Sequence, residues 1–259
     1  MAKTGSLGMA LQQGLSFSSV LLHIPRAEAV FWPGCALMKL DPAILKKTME
    51  VLRRTEPELA LASGCCGQPT VYLFPEKSEK RQKSLTDAFR SSGVRRIYTA
   101  CPNCTAQMKS LDGVQIIPIW TPLARNLKPE DLAFCADSFV WHDPCPIRHD
   151  PGQLAAVRKL LALSGCDYTE PLHTGPNTRC CGSICMLRTT DPEKSAAIRR
   201  RRLAELEESR TILSCCEGCL DAFRTEGRDT CHLLELLFGR SAKRTWGNHF
   251  QNAKKAPLD

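Results

Sequence analysis

Ten of the 15 cysteines in this 259-residue chain fall into two copies of one pattern. The first copy is Cys35, then Cys65-Cys66-Gly67, then Cys101-Pro102-Asn103-Cys104; the second is Cys145, Cys180-Cys181-Gly182 and Cys216-Glu217-Gly218-Cys219. The lone cysteine recurs after 110 positions, and the CCG and C-x-x-C elements both recur after 115. A thiol set that keeps its register across half a chain is a duplicated site, so the chain should fold as two similar halves. Five sulfurs per copy exceed the four that a structural zinc accepts. They match the thiolate-rich surroundings of an iron–sulfur cluster better. Zinc at one site, with one thiol spare, is the alternative.

The rest of the composition is that of an ordinary globular protein, with 43% hydrophobic and 24% charged residues. Secreted disulfide scaffolds are short, and an odd number of cysteines would leave one unpaired. Adjacent cysteines in a chain of this length indicate metal or redox chemistry in a reducing compartment, and the cytoplasm is expected. Lys3, a semi-apolar stretch through Leu22 and Ala27-Glu28-Ala29 imitate a signal peptide. Gln12 and Gln13 dilute its apolar core, and His23, Pro25 and Arg26 interrupt its end, so residues 1–29 read as an N-terminal extension. No run of 18 apolar residues occurs, which excludes a membrane-spanning helix. The net charge of +8 comes from scattered Lys and Arg, and aromatic residues are only 6%; nucleic acid is not an expected partner. The densest basic run, Arg199 to Arg202, is followed by Glu205, Glu207 and Glu208. It reads as a solvated, salt-bridged helix, with docking of an acidic electron-donor subunit as the alternative.

Both halves alternate strand and helix. Short apolar runs, Ala29–Trp32 and Ser138–Trp141, lead into Cys35 and Cys145. Strand-like Arg96–Ala100 feeds Cys101, and Arg210–Ser214 feeds Cys216. Asp41-Pro42 opens a helix with an N-cap and a proline at its first position; its second-half counterpart runs from Gln153 to Leu163. Further helices are expected over Glu76–Ser91 and Pro192–Glu208, and from Pro102. The predicted fold is α/β: two pseudo-symmetric lobes, each a short, mainly parallel sheet flanked by helices. Cysteines stand at the carboxyl ends of strands, where ligands collect in such sheets. The predicted domains are 30–120 and 138–239, joined by a linker at 121–137 and followed by a C-terminal tail at 240–259.

The spacing of Cys, Cys-Cys-Gly and Cys-x-x-Cys, with gaps of 29 and 34 residues in the first copy and 34 and 34 in the second, resembles the cysteine-rich CCG domain family. Its members include the cysteine-rich subunit of heterodisulfide reductase and parts of several dehydrogenases. The resemblance spans about Val30 to Gly239. It implies that Cys35, Cys65, Cys66, Cys101 and Cys104 hold one noncubane 4Fe–4S cluster, and that Cys145, Cys180, Cys181, Cys216 and Cys219 hold a second. It further implies an iron–sulfur oxidoreductase subunit that reduces a disulfide between the two, the substrate being a small molecule or a protein. Many relatives have lost cysteines from a set; this chain keeps all ten, which points to the heterodisulfide reductase branch. An electron-relay subunit of a quinone-linked dehydrogenase is the alternative, and a zinc-stabilised scaffold a third reading.

The remaining cysteines read as follows. Cys135, Cys166 and Cys231 read as small buried apolar residues, and Cys185 as a core or nearby thiol. Cys215 adjoins Cys216, but only Cys216 has the two-residue gap to Cys219. His142 is positioned in sequence to deliver a proton or to fix its loop. Arg148, His149 and Arg179 are candidates to pair with an anionic substrate or to offset cluster charge. The two-cluster ferredoxin run, G-x-G-x-x-G and the P-loop are all missing. Electrons are therefore expected to pass through a partner of ferredoxin-like, flavin or hydrogenase type.

Overall fold

The computed structural model describes residues 11, 13–15, 17, 18, 21–241 and 243–255; Lys3 and Gln12 of the leader-like stretch lie outside them. Two four-stranded, all-parallel sheets form the frame. The first contains β1 (Ala29–Trp32), β2 (Ala60–Leu61), β3 (Arg96–Thr99) and β4 (Gln115–Pro118) in the order β2-β1-β3-β4. The second contains β5 (Ser138–Trp141), β6 (Asp167–Thr169), β7 (Thr211–Ser214) and β8 (Thr230–His232) in the matching order β6-β5-β7-β8. Pairing is in register, with Trp32 opposite Thr99 and Trp141 opposite Leu213.

The strand order decides where the sites lie. From β1 the chain moves outward to β2, then returns past β1 to β3. Right-handed crossovers place those two connections on opposite faces of the sheet. Loops leaving the carboxyl ends of β1 and β3 therefore diverge and open a crevice between them. Cys35 follows β1 and Cys101 follows β3; Cys145 follows β5 and Cys216 follows β7 in the same way.

Local sequence explains the elements. All four residues of β1 are buried, consistent with an interior strand covered on both faces. The helix Pro42–Leu52 begins where the Asp41 carboxylate accepts the Ala43 N–H at 2.9 Å, and it buries Ile44, Leu45, Met49 and Leu52. Its counterpart, Pro151–Ser164, starts two residues before the expected Gln153, because Asp150 caps it through the Gln153 N–H at 3.0 Å. It stops at Gly165 in the left-handed conformation. Helix Pro192–Leu203 ends five residues short of Glu208; Ala204 closes it and Leu206 turns into the core.

The chain divides into two compact units, one formed by Met1–Ile119 with Lys243–Asp259 and the other by Trp120–Ala242. Helix Trp120–Asn126 packs on helix Pro151–Ser164 within the second unit. Helix Trp246–Lys255 belongs to the first unit, where Asn252 donates to the carbonyls of Met38 and Leu40 at 2.9 and 3.2 Å. The segment preceding β1 also packs there. His23 bridges Ser63 in antiparallel fashion, and Gln13 is fully buried.

In the second unit the loop after β5 is held by charge. The Asp143 carboxylate is fully buried and accepts both arms of the Arg158 guanidinium at 2.6 and 2.5 Å. It also accepts the Gly175 N–H at 2.7 Å and the Trp141 indole N–H at 2.8 Å. Burial raises its proton affinity, but Arg158, Gly175 and Trp141 together outweigh that and hold its pKa at about 2, below the ordinary 3.8. A depressed carboxyl pKa stabilises the fold above the unfolded value and ceases to do so as pH falls through the folded one. The contribution of Asp143 should therefore be complete above about pH 4 and vanish toward pH 2. Asp143→Asn should cost about 3 kcal/mol at neutral pH and flatten this acid limb, as chemical denaturation across pH will show.

Candidate metal centre

Strand ends, tight glycine turns and helix starts bring each set of five sulfurs together. In the first unit Cys35 contacts Cys65, Cys65 contacts Cys66, Cys66 contacts Cys104, and Cys104 contacts Cys101. The second unit repeats the chain of contacts, from Cys145 to Cys180, Cys181, Cys219 and Cys216. The Cys181 and Cys219 sulfurs are 3.1 Å apart. All 15 cysteines are free thiols. Cys35 and Cys145, the equivalent lone cysteines, are both half-buried, whereas Cys66 and Cys181 at the centre of each set are buried.

The same sulfur in each unit gathers the donors. Cys65 is approached by Cys35, Cys66, the Gly67 N–H at 3.5 Å and the Gln13 side-chain amide at 3.6 Å. Gln13 is itself fixed by Thr70, whose hydroxyl donates to its Oε1 at 2.8 Å, and by Arg81 at 3.3 Å. Cys180 is approached by Cys145, Cys181, the Gly182 N–H at 3.2 Å and the Ile184 N–H. Hydrogen bonds from Cys35 and Cys66 lower the Cys65 pKa against the cost of burial; those from Cys145 and Cys181 bring Cys180 to about 2. Their neighbours Cys35 and Cys145 are raised by the same contacts and by burial, and Cys181 is pushed up to about 12. In the first set Cys101 is also lowered, chiefly by the Cys104 hydrogen bond, while Cys66 and Cys104 are raised, so charge on some sulfurs discourages ionisation of their neighbours.

Two glycines are dictated by close approach. Gly34 has φ +85°, and a Cβ there would stand 2.9 Å from the Cys104 sulfur and 3.2 Å from the Cys101 Cβ. Gly182, at φ +86°, would bring a Cβ within 2.4 Å of the Ser195 carbonyl; the Ser195 hydroxyl donates to the Gly182 carbonyl at 2.8 Å. Both C-x-x-C elements open helices, Pro102–Met108 and Glu217–Arg224, with Cys101 and Cys216 at the capping positions.

The charged candidates separate. Arg148 lies near Cys145, and its guanidinium donates to the Thr178 carbonyl at 3.2 Å. His149 is exposed. Arg179 turns to Glu205 in an ion pair. His142 is fully buried, packs edge-on against Phe223 at 5.0 Å, and forms with Cys181 and Cys219 a group whose ligand atoms all lie within 4.8 Å of one another. Burial first, and the nearby Arg202 charge second, bring the His142 pKa to about 3, so the ring is neutral.

The Arg199–Arg202 run departs from the expected solvated face. Arg200 and Arg201 are exposed, but Arg199 is buried against Glu226 and Ser195, and Arg202 is fully buried with its Nε 3.1 Å from His142 Nδ1. A polar stripe at i, i+4 and i+7, namely Ser195, Arg199 and Arg202, is the signal the sequence offers; charge alone gives no hint of it. Of the other cysteines, Cys231 and Cys215 are buried, Cys135 and Cys166 are half-buried, and Cys185 is exposed outside the core. Cys185 and Met186 both have left-handed backbone; Ile184 and Cys185 expose their side chains while the Ile184 N–H reaches the Cys180 sulfur.

The model of the cysteine-rich domain (CCG) family matches residues 29–109 and 139–224. The chain belongs to the cysteine-rich CCG domain family. Its two CCG copies enclose the two five-cysteine sets, and the family supports metal or iron–sulfur binding and a redox role. No curated protein matches the chain. Among solved structures, it is similar to a putative Asp/Glu racemase from Yersinia pestis, with TM-score 0.33 and 10% identity, covering 89% of this chain and 100% of that one. It is also similar to an aspartate racemase from Picrophilus torridus, with TM-score 0.31 and 12% identity, covering 86% and 98%. Likeness at that level bears on neither the sites nor their chemistry.

If Gly34 is required for the first set to close, Gly34→Ala should cost the first CCG site its metal and spare the second. Metal content per chain after anaerobic reconstitution should then fall to about half, with the signals of the second site intact.

Proposed function

We propose that this CCG protein is an iron–sulfur oxidoreductase subunit of the heterodisulfide reductase type, with one 4Fe–4S cluster of noncubane form per unit and a disulfide as substrate. The observation that carries this reading is the completeness of both sets: five thiols in each unit, linked in the same order of contacts. Sulfur donors with main-chain N–H groups directed at them suit iron in a cluster, and five exceed a tetrahedral zinc shell. When bound, such clusters supply one-electron carriers whose iron sites accept thiolate sulfur.

The chain's own residues shape that chemistry. Cys65 and Cys180 favour the thiolate before any metal arrives, which seeds assembly. Cys35 and Cys145 are half-buried in both units, as are Cys101 of the first set and Cys180 of the second, so each set keeps two thiols within reach of solvent. Arg148 sits beside Cys145, where its charge favours anionic sulfur on that side. Among the described residues no helix is long and apolar enough to cross a membrane. The electron donor or acceptor is a separate ferredoxin-like, flavin or hydrogenase-type subunit, and the compartment is the cytoplasm.

Anaerobically purified protein should contain on the order of eight irons per chain, four for each cluster. Cys66→Ser should remove or distort one cluster and Cys181→Ser the other, with different electron paramagnetic resonance signals lost in each. Given a low-potential one-electron donor, the intact protein should convert a disulfide to two thiols, and either variant should lose most of that rate. Zinc in place of iron would overturn the reading. Iron with electron transfer but no disulfide turnover would leave a relay subunit.

A further inference from the structure

His142 poses a question that metal-site geometry answers. Its buried Nε2 has no hydrogen-bond partner among the described residues, and a ligand atom of this ring lies within 4.8 Å of both the Cys181 and the Cys219 sulfurs. Taken alone, that trio looks like a mixed histidine–cysteine metal site. The other ring nitrogen decides otherwise. Arg202 Nε lies 3.1 Å from His142 Nδ1, and a guanidinium has only donors. Nδ1 must therefore present its lone pair, and the ring's single proton resides on Nε2, the nitrogen left free to address the sulfurs.

Arg202 is in no position to relax this assignment. The side chain is fully buried, and its Nη1 donates to the His173 carbonyl at 2.8 Å and to Glu205 at 2.9 Å. Glu205 is itself held by Arg179. A histidine that ligates a metal donates its remote N–H to a carboxylate or carbonyl, which frees the near nitrogen's lone pair. Here the remote nitrogen accepts, the reverse arrangement. The equivalent residue in the first unit, 110 positions earlier, is Trp32. It packs in one buried cluster with Cys66 and Cys104, and its indole Nε1, a nitrogen that only donates, is likewise buried without a partner among the described residues.

We propose that His142 is a positioning residue which donates its Nε2–H to the Cys181 and Cys219 sulfurs and does not bind metal through nitrogen. This rests on the iron–sulfur reading given above. Hydrogen bonds to cluster sulfurs favour the reduced, more negative state, so His142 holds the second cluster at a higher potential than an apolar residue would. Arg202 fixes the tautomer that makes the donation possible.

The test compares wild type, His142→Phe and His142→Gln as full-length, cluster-loaded protein. Iron per chain and the midpoint potential of each cluster are measured by redox titration followed by electron paramagnetic resonance. The nitrogen hyperfine coupling is measured in wild type labelled with ¹⁵N-histidine. His142→Phe should keep the full iron complement, shift only the second cluster to a more negative midpoint, and leave the first unchanged. His142→Gln, which retains a side-chain N–H, should recover part of the shift. The ¹⁵N coupling should be weak, as for a nitrogen bonded through hydrogen to sulfur. An unchanged midpoint in His142→Phe, or a strong coupling from directly bonded nitrogen, overturns the proposal. Should His142→Phe fail to fold, the wild-type coupling decides alone: weak supports donation, strong or none refutes it. A wild-type second site without iron would instead overturn the iron–sulfur reading itself.

Discussion

Sulfur atoms at hydrogen-bonding distance from one another cannot all ionise without a cation among them, and this repulsion constrains each half of the molecule. Every thiolate formed raises the proton affinity of its neighbours, as Cys181 shows beside Cys180. The fold answers with neutral donors placed at the sulfurs: the N–H groups of Gly67, Gly182 and Ile184, and the Gln13 amide. Only some sulfurs of each set are held toward the thiolate: Cys65 and Cys101 in the first and Cys180 in the second. A bound metal cation would remove the conflict, so that binding and closure of the set would reinforce one another.

Much of this can be read directly from the chain. The interior strands β1 and β5 are plain because strands buried on both faces are short apolar runs, and both match their expected bounds to the residue. The Asp41-Pro42 helix start is equally clear, since the cap chemistry is local. The edge strands β2, β4, β6 and β8 are not legible: β2 has two residues and β4 is half-exposed, so no periodicity develops. The cysteine sets are visible by spacing because the repeat preserves register. Arg202 is not, since charge suggests a solvated face and only the fold turns one arginine in that run toward a histidine 60 residues away.

Duplication set the frame, and the two units then diverged beside it. Where the first unit has Trp32 and Pro33 ahead of the lone cysteine, the second has His142 and Asp143. The first pair is apolar and rigid. In the second, each polar group recruits an arginine, the fully buried Arg202 for the ring and the half-buried Arg158 for the carboxylate. Such pairs are expensive to bury and fail badly when one partner is lost. The second unit therefore relies on electrostatics where the first relies on packing, although the sulfur arrangement is the same.

The order in which the chain is made also matters. The turn after Cys35 ends at Lys39 and Leu40, whose carbonyls accept from Asn248 and Asn252. Those partners are synthesised only after the whole of the second unit. Until they are made, the loop carrying Cys35 lacks these closing contacts. The site encoded first is thus closed by the part of the chain made last.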